Sequence, residues 1–384
     1  MSMLNKFGKV LIHALMRNRK LTDTDSVMNL HEGYYNRLLL PGCVCADGKT
    51  AKLFLWPGSD KDLVISFNGG SCALKPDDCK YPMEFQAFAL NQRKLYSANA
   101  EEIYEFGFYF DEDNGIHAPM EANPFASWSK AIIPYVSADF HTGTGDFPYT
   151  DRQGNDRILH FNGYKNFLEI MKQIKKRWPA PERIVITGSS AGPFGASALA
   201  GKIVEMYPEC ESITVYCDSS YIPMPNGKEI AEGFWKCPEE IAATVHTDDI
   251  CGDWLQALGN KYGHRIKLLY GCSTEDGILA QFNNFENTGD FTATEEWRGK
   301  MKRGFQNRIQ RLQKAGINIS YYVNAIPDKQ TGGTKHCISQ DKAWHEAGVD
   351  GVSPAQWVMD AVNGKCYDVG IYLLDQQVQL LVNR

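Results

Sequence analysis

The segment Gly188-Ser189-Ser190-Ala191-Gly192 sets a serine among the smallest side chains available. Arg183-Ile-Val-Ile-Thr187 before it reads as a buried strand, and Phe194–Val204 after it as an alanine-rich helix. A sharp strand-to-helix turn holds its serine in a strained backbone conformation, and its flanks must be small because the chain folds closely on itself. The start of a helix also favours developing negative charge, through its free N–H groups and its dipole. Any Gly/Ser-rich turn matches the bare pattern, so the strand and helix around it give it weight. Ser190, at its centre, is the expected nucleophile, with Ser189 as the competing residue.

A serine nucleophile needs a base, and the base needs a carboxylate to hold its tautomer. When the serine sits on such a turn, the carboxylate and then the histidine follow later strands in chain order. Ile266-Lys-Leu-Leu-Tyr270 reads as a strand, and Gly271-Cys-Ser-Thr-Glu-Asp276 is the loop at its carboxyl end. Asp276 is therefore the expected carboxylate, with Glu275 beside it. Asp218 follows the strand Ser212–Tyr216, one strand early, and is the alternative; aspartate there is more often a cap or turn residue. Four histidines follow Ser190: His246, His264, His336 and His345. His336, in the loop Thr331-Gly-Gly-Thr-Lys-His-Cys337 directly after the strand that follows Asp276, is the expected base. His345, in the helical pattern Asp341-Lys-Ala-Trp-His-Glu346, reads as a surface or packing residue.

Earlier in the chain, Leu63-Val-Ile-Ser-Phe67 runs into Asn68-Gly-Gly-Ser-Cys72. Alone, this is a strand-ending turn. Ahead of a Ser/Asp/His order, its glycines let backbone N–H groups face a bound carbonyl oxygen. The expected oxyanion donors are the N–H groups of Gly70, Ser71 and Ala191, each worth roughly 100- to 1000-fold in rate.

The elements that must position these groups are legible as alternation. Strands are expected at 51–55, 63–67, 131–136, 183–187, 212–216, 266–270 and 318–324. Helices are expected at 163–177, 194–206, 229–234, 295–314 and 354–362. Strand–helix alternation of this kind predicts an α/β fold, α/β-hydrolase-like, with a mostly parallel central sheet and helices on both faces. Ligands of such sheets sit at the carboxyl ends of the strands. The 384 residues read as one catalytic domain, with residues 1–45 as an N-terminal extension.

Net charge −6 argues against a nucleic-acid partner, since such binders carry a basic face. The basic run Lys172–Arg177 reads as a solvated helix face. No apolar run approaches the ~18 residues of a membrane span. Val10–Met16, after Lys6 and Lys9, lacks a small-residue cleavage site, so the residues alone predict a cytoplasmic protein. The eleven cysteines are an odd number. Cys72 with Cys79, and Cys237 with Cys251, are possible local bridges. No Cys-x-x-Cys occurs to suggest a zinc ribbon. The sequon Asn318-Ile-Ser320 falls on an expected buried strand. Trp128, Tyr135, Trp178, Tyr221, Trp235 and Trp254 are available to stack on sugar rings, although aromatics are more often core.

Several of these stretches, in this order, resemble the pectin acetylesterase family, which includes Notum. They are Asn68-Gly-Gly-Ser-Cys72 with Cys79, Asn123-Pro-Phe125 with Trp128, Tyr135-Val-Ser-Ala-Asp139, Thr142-Gly-Thr-Gly-Asp146, Phe161-Asn-Gly163, Gly188–Gly192, Cys217-Asp-Ser219, Asp276 and His336-Cys337. Ser71 stands where the family usually has an aromatic residue, and Pro193 where it has glycine. The resemblance implies carboxylester hydrolysis by Ser190, Asp276 and His336, without metal or organic cofactor. It also implies a Cys72–Cys79 disulfide and secretion. The expected substrate is an acylated carbohydrate, with acetyl as the default acyl group. The alternatives are a deacylase of longer chains, amide or thioester hydrolysis by the same residues, and a non-catalytic carbohydrate-binding relative.

Overall fold

The computed structural model describes residues 20–82, 96, 98, 115–346 and 348–375. The strands, in chain order, are β1 (Leu21–Thr24), β2 (Tyr35–Val44), β3 (Thr50–Trp56), β4 (Ser59–Phe67), β5 (Trp128–Ile133), β6 (Asp146–Thr150), β7 (Asp156–His160), β8 (Arg183–Ser189), β9 (Ser212–Asp218), β10 (Ile266–Ser273) and β11 (Ile319–Asn324). The longer helices are α1 (Gly163–Arg177), α2 (Gly192–Met206), α3 (Ile250–Tyr262), α4 (Gly277–Thr288), α5 (Glu295–Lys314) and α6 (Pro354–Val362). One sheet runs β1-β2-β3-β5-β4-β8-β9-β10-β11, and β6 and β7 form a separate hairpin. From β5 through β4, β8, β9 and β10 to β11 every neighbouring pair is parallel. Only the β2–β3 and β3–β5 pairs in this sheet are antiparallel.

Period-two alternation sorts the strand residues between two covered faces. Ile65, Ile186, Val215, Leu268 and Val323 pack on the side of α1, α2 and α5. Val64, Val185, Tyr216, Leu269 and Tyr322 pack on the other, against Trp344, Trp357 and Val358. Each aliphatic side chain buried this way contributes about 1.5–3 kcal/mol, which fixes the register of the parallel strands. Helix α1 forms because Phe167, Ile170, Met171 and Ile174 repeat at three- and four-residue spacing and bury one stripe. Its basic end is solvated, with Lys172 bonded to Glu169 at 2.9 Å and Arg177 to Asp60 at 2.8 Å.

Parallel direction brings the carboxyl ends of β4, β8, β9, β10 and β11 to one rim. Backbone bonding continues past the strands there. Ser190 N–H donates to Asp218 O at 3.0 Å, Ser219 N–H to Gly271 O at 2.9 Å, and Thr274 N–H to Asn324 O at 2.9 Å. The loops that carry the candidate residues thus start from a fixed edge.

Several expectations are corrected. Residues 20–45 hold β1 and β2, the sheet's outer strands. Pro41-Gly42 sits in β2 at a register shift between Leu40 and Val44, where a missing N–H is tolerated. The helix expected at 229–234 is a short turn, Gly227–Glu229, followed by a π-helical turn, Ile230–Phe234. No disulfide forms among the described residues. At the Cys72–Cys79 turn, the Asp78 carboxylate accepts the N–H groups of Leu74 at 2.8 Å and Lys75 at 3.2 Å, closing the turn without a bridge. Cys237 is bonded to Thr142 Oγ1 at 3.2 Å, whereas Cys251 meets Ser220 Oγ at 3.2 Å, so the two thiols serve different neighbours. Asn318 is exposed just before β11 and not buried within it. Trp128, Tyr135, Trp178, Trp235 and Trp254 are core residues, which removes them as sugar platforms and leaves Tyr221 half-buried. The apolar run 10–16 lies outside the described residues. No helix among those described is long and apolar enough to cross a membrane.

Candidate active site

Ser190 occupies the left-handed region, with φ +60°, between the end of β8 and the start of α2. Ser189 completes β8 and is buried, whereas Ser190 is half-buried. A non-glycine residue held at positive φ costs about 1–3 kcal/mol and persists only where its surroundings enforce it. The surroundings here are close. A Cβ at Gly192 would run into the carbonyl oxygen of Phe67 at the end of β4, and a Cβ at Gly69 would stand 2.6 Å from Ser190 Cβ. The glycine turn after β4 is therefore pressed against the serine. Gly192→Ala is expected to destabilise the fold by about 3 kcal/mol, the scale of overpacking against backbone that cannot give way. Denaturant unfolding checks this, and wild-type stability would contradict it.

Asp276 has no exposed surface and does two things. Its Oδ1 accepts the Leu279 N–H at 2.9 Å, which caps α4, and its Oδ2 meets His336 Nδ1 at 2.8 Å. A carboxylate accepts, so His336 Nδ1 carries the proton and Nε2 presents its lone pair. That Nε2 atom is buried and makes no hydrogen bond. No hydrogen bond joins it to Ser190 Oγ among the described residues. Catalytic hydrogen bonds are often long before substrate binds. The base lies close by, because the backbone of Ser190 faces the thiol of Cys337, the residue after His336. Burial pulls the His336 imidazole down, but the charge of Asp276 and the hydrogen bond to it, with Asp218 and Asp328 adding, hold it above the ordinary histidine range.

The N–H groups of Gly70, Ser71 and Ala191 make no hydrogen bond among the described residues, and the Ser71 hydroxyl is also buried without a partner. Helix α2 starts directly after Ala191, with Pro193 in its first turn, where a missing N–H costs nothing. One supporting residue was not singled out from sequence. His141 is buried, with φ +66°, and its Nε2–H donates to the Asn68 carbonyl at 2.9 Å. Burial pushes its imidazole down to about 4, so it stays neutral. It braces the glycine turn from behind, packed against Phe67, Tyr135 and Gly195. Nothing in the local pattern Asp139-Phe-His-Thr142 distinguishes such a histidine from a loop residue. His345 is half-buried beyond the 3₁₀ turn Lys342–Trp344, and neither of its ring nitrogens makes a hydrogen bond among the described residues.

A mostly parallel sheet with covered faces and its polar residues gathered at the carboxyl rim is an α/β-hydrolase-type fold. Within that class, residues 36–222 match the family model for Pectinacetylesterase. The resemblance read from the sequence holds over that stretch. The fold is similar to that of the Wnt deacylase Notum from Drosophila, with a TM-score of 0.60 at 17% identity, over 84% of this chain and 91% of that one. No curated protein matches the chain. Together these findings support a carboxylic ester hydrolase.

Proposed function

We propose that the chain is a single catalytic domain that hydrolyses O-acyl esters, foremost O-acetyl esters of a carbohydrate, through Ser190, His336 and Asp276. The observation that carries this reading is the Asp276–His336 bond, 2.8 Å long, which leaves Nε2 without the ring proton, buried and without a hydrogen-bond partner. His336 takes the proton of Ser190 Oγ as that oxygen attacks the ester carbonyl. The N–H groups of Gly70, Ser71 and Ala191 receive the developing oxyanion. The protonated His336 gives its proton to the departing alcohol. Water then attacks the acyl-enzyme by the same route in reverse and releases the acid.

Acetyl is favoured by the family match, and a longer acyl group by the likeness to a deacylase. A series of p-nitrophenyl esters from acetate to palmitate, followed by acetate release from acetylated polysaccharides, separates the two. Highest kcat/KM at C2, with acetate released from the polymer, supports the acetylesterase. A maximum at long chains without acetate release supports the deacylase.

The base acts only when neutral. Because His336 lies above the usual ~6.5, the acid limb of kcat/KM is expected above that pH. For stability the sign is opposite. A raised histidine helps the fold fully below its unfolded value near ~6.5, and this help fades as pH rises through the folded value. A pH–rate profile with its acid limb at or below ~6.5 would contradict the assignment.

A further inference from the structure

Asp218 is the alternative to Asp276 that chain order offers. It sits at the end of β9, in register with Ser189 on one side and Gly271 on the other. Its carbonyl oxygen accepts the Ser190 N–H at 3.0 Å. Its carboxylate, without exposed surface, turns the other way: Oδ2 accepts the Ser339 N–H at 2.7 Å, and Oδ1 accepts the Ser219 hydroxyl at 3.1 Å. The oxygen of that hydroxyl in turn accepts the Cys337 N–H at 3.1 Å. Ser219 and Cys337 both lie at φ +58°, like the strained serine itself.

The segment carrying His336 has no long helix or strand of its own, so its position depends on tethers. On the Asp276 side, Thr334 N–H donates to Glu275 O at 2.9 Å and Gly277 N–H to Thr334 O at 3.2 Å. On the nucleophile side, the bonds from Cys337 and Ser339 end on Ser219 and Asp218. We propose that Asp218 is a positioning residue for the reaction, its backbone fixing the nucleophile and its carboxylate fixing the loop of the base, so that the serine and histidine are held in one frame. This inference rests on the esterase reading above and adds a residue to it.

The charge of Asp218 also bears on the base. The carboxylates that act on His336 are Asp276 at the end of β10, Asp218 at the end of β9, and Asp328 in the loop after β11. Asp218→Asn keeps an acceptor for the tethers and removes one of these charges. Asp218→Ala removes both. Ser219→Ala cuts only the link to Cys337.

The test measures kcat, KM and the pH profile on p-nitrophenyl acetate for the full chain and these three variants, with circular dichroism and melting temperature alongside. Asp218→Asn is expected to stay within about tenfold of wild-type kcat, with its acid limb moved to lower pH. Asp218→Ala is expected to lose about a hundredfold in kcat, the scale of a 1 Å misplacement, at nearly constant KM. Should it fail to fold, Ser219→Ala carries the test, with an expected loss of about tenfold in kcat. Wild-type kcat in Ser219→Ala together with an unmoved acid limb in Asp218→Asn would overturn the proposal. So would an Asp218→Asn as inactive as Asp276→Asn, since that would make Asp218 the carboxylate of the triad. Wild-type turnover in Ser190→Ala would instead remove the esterase reading on which the proposal rests.

Discussion

Ser190→Ala is expected to lower kcat for an activated acetate ester by about a million-fold, the loss seen when a triad serine is deleted in comparable enzymes. The expectation follows from where the residue sits. Ser190 makes no side-chain hydrogen bond among the described residues, so removing Oγ orphans no partner and leaves the turn intact. Its strained φ of +60° is enforced by backbone contacts at Gly69 and Gly192, which the variant keeps. Circular dichroism and melting temperature should therefore be those of the wild type. Ser189→Ala is the matched control. Ser189 is buried within β8 and its hydroxyl makes no hydrogen bond among the described residues, so its loss should leave most of the activity. If Ser190→Ala and the wild type turned over the ester equally, no part of the acyl transfer scheme would survive.

Asp276→Asn is expected to cost about ten-thousand-fold in kcat with little effect on folding, as a wrong-tautomer substitution does in a Ser-His-Asp site. The two oxygens of Asp276 do separate work. An asparagine keeps an oxygen for the Leu279 N–H, so the cap of α4 survives. Its amide can donate to His336 Nδ1, which draws the ring proton to Nε2 and removes the lone pair that Ser190 needs. The loss of charge should also bring the imidazole down, since Asp276 is the strongest influence raising it. The residual activity of this variant is thus expected to show its acid limb at lower pH than the wild type. A loss smaller than about tenfold would be too small for a carboxylate that sets the tautomer.

The parts of this site that were legible in the sequence are those with a local cause. The turn at Ser190 announces itself because a strand, a run of small residues and an alanine-rich helix follow one another within a short span. The pairing of Asp276 with His336 was legible through chain order together with the family resemblance: each follows a later strand, and parallel strands deliver their carboxyl ends to one rim. Helices α1, α5 and α6 kept their expected limits because each carries an apolar stripe and a clear stop.

What escaped has a long-range cause. Helix α4 was not foreseen because Asn283-Asn284 weakens its pattern. Those side chains are instead bound through Tyr221 O and Thr292 O, partners far from them in the fold's own logic or beyond the helix end. Strand β2 was hidden by Pro41-Gly42, which only a bulge makes acceptable. The roles of His141 and Asp218 depend on tethers between residues 73 and 121 positions apart. No periodicity reports such bonds. The disulfides were suggested by cysteine spacing and by family, and spacing does not say which neighbour a thiol will find.

The most direct test is covalent. An organophosphonate that reports serine nucleophiles should be incubated with the wild type and with His336→Ala, and the adduct located by peptide mass spectrometry. A single adduct on the peptide containing Ser190, largely lost in His336→Ala while the protein stays folded, is the predicted result. An unlabelled wild type, an adduct on another serine, or labelling unaffected by loss of His336 would contradict a nucleophile at Ser190 activated by that histidine.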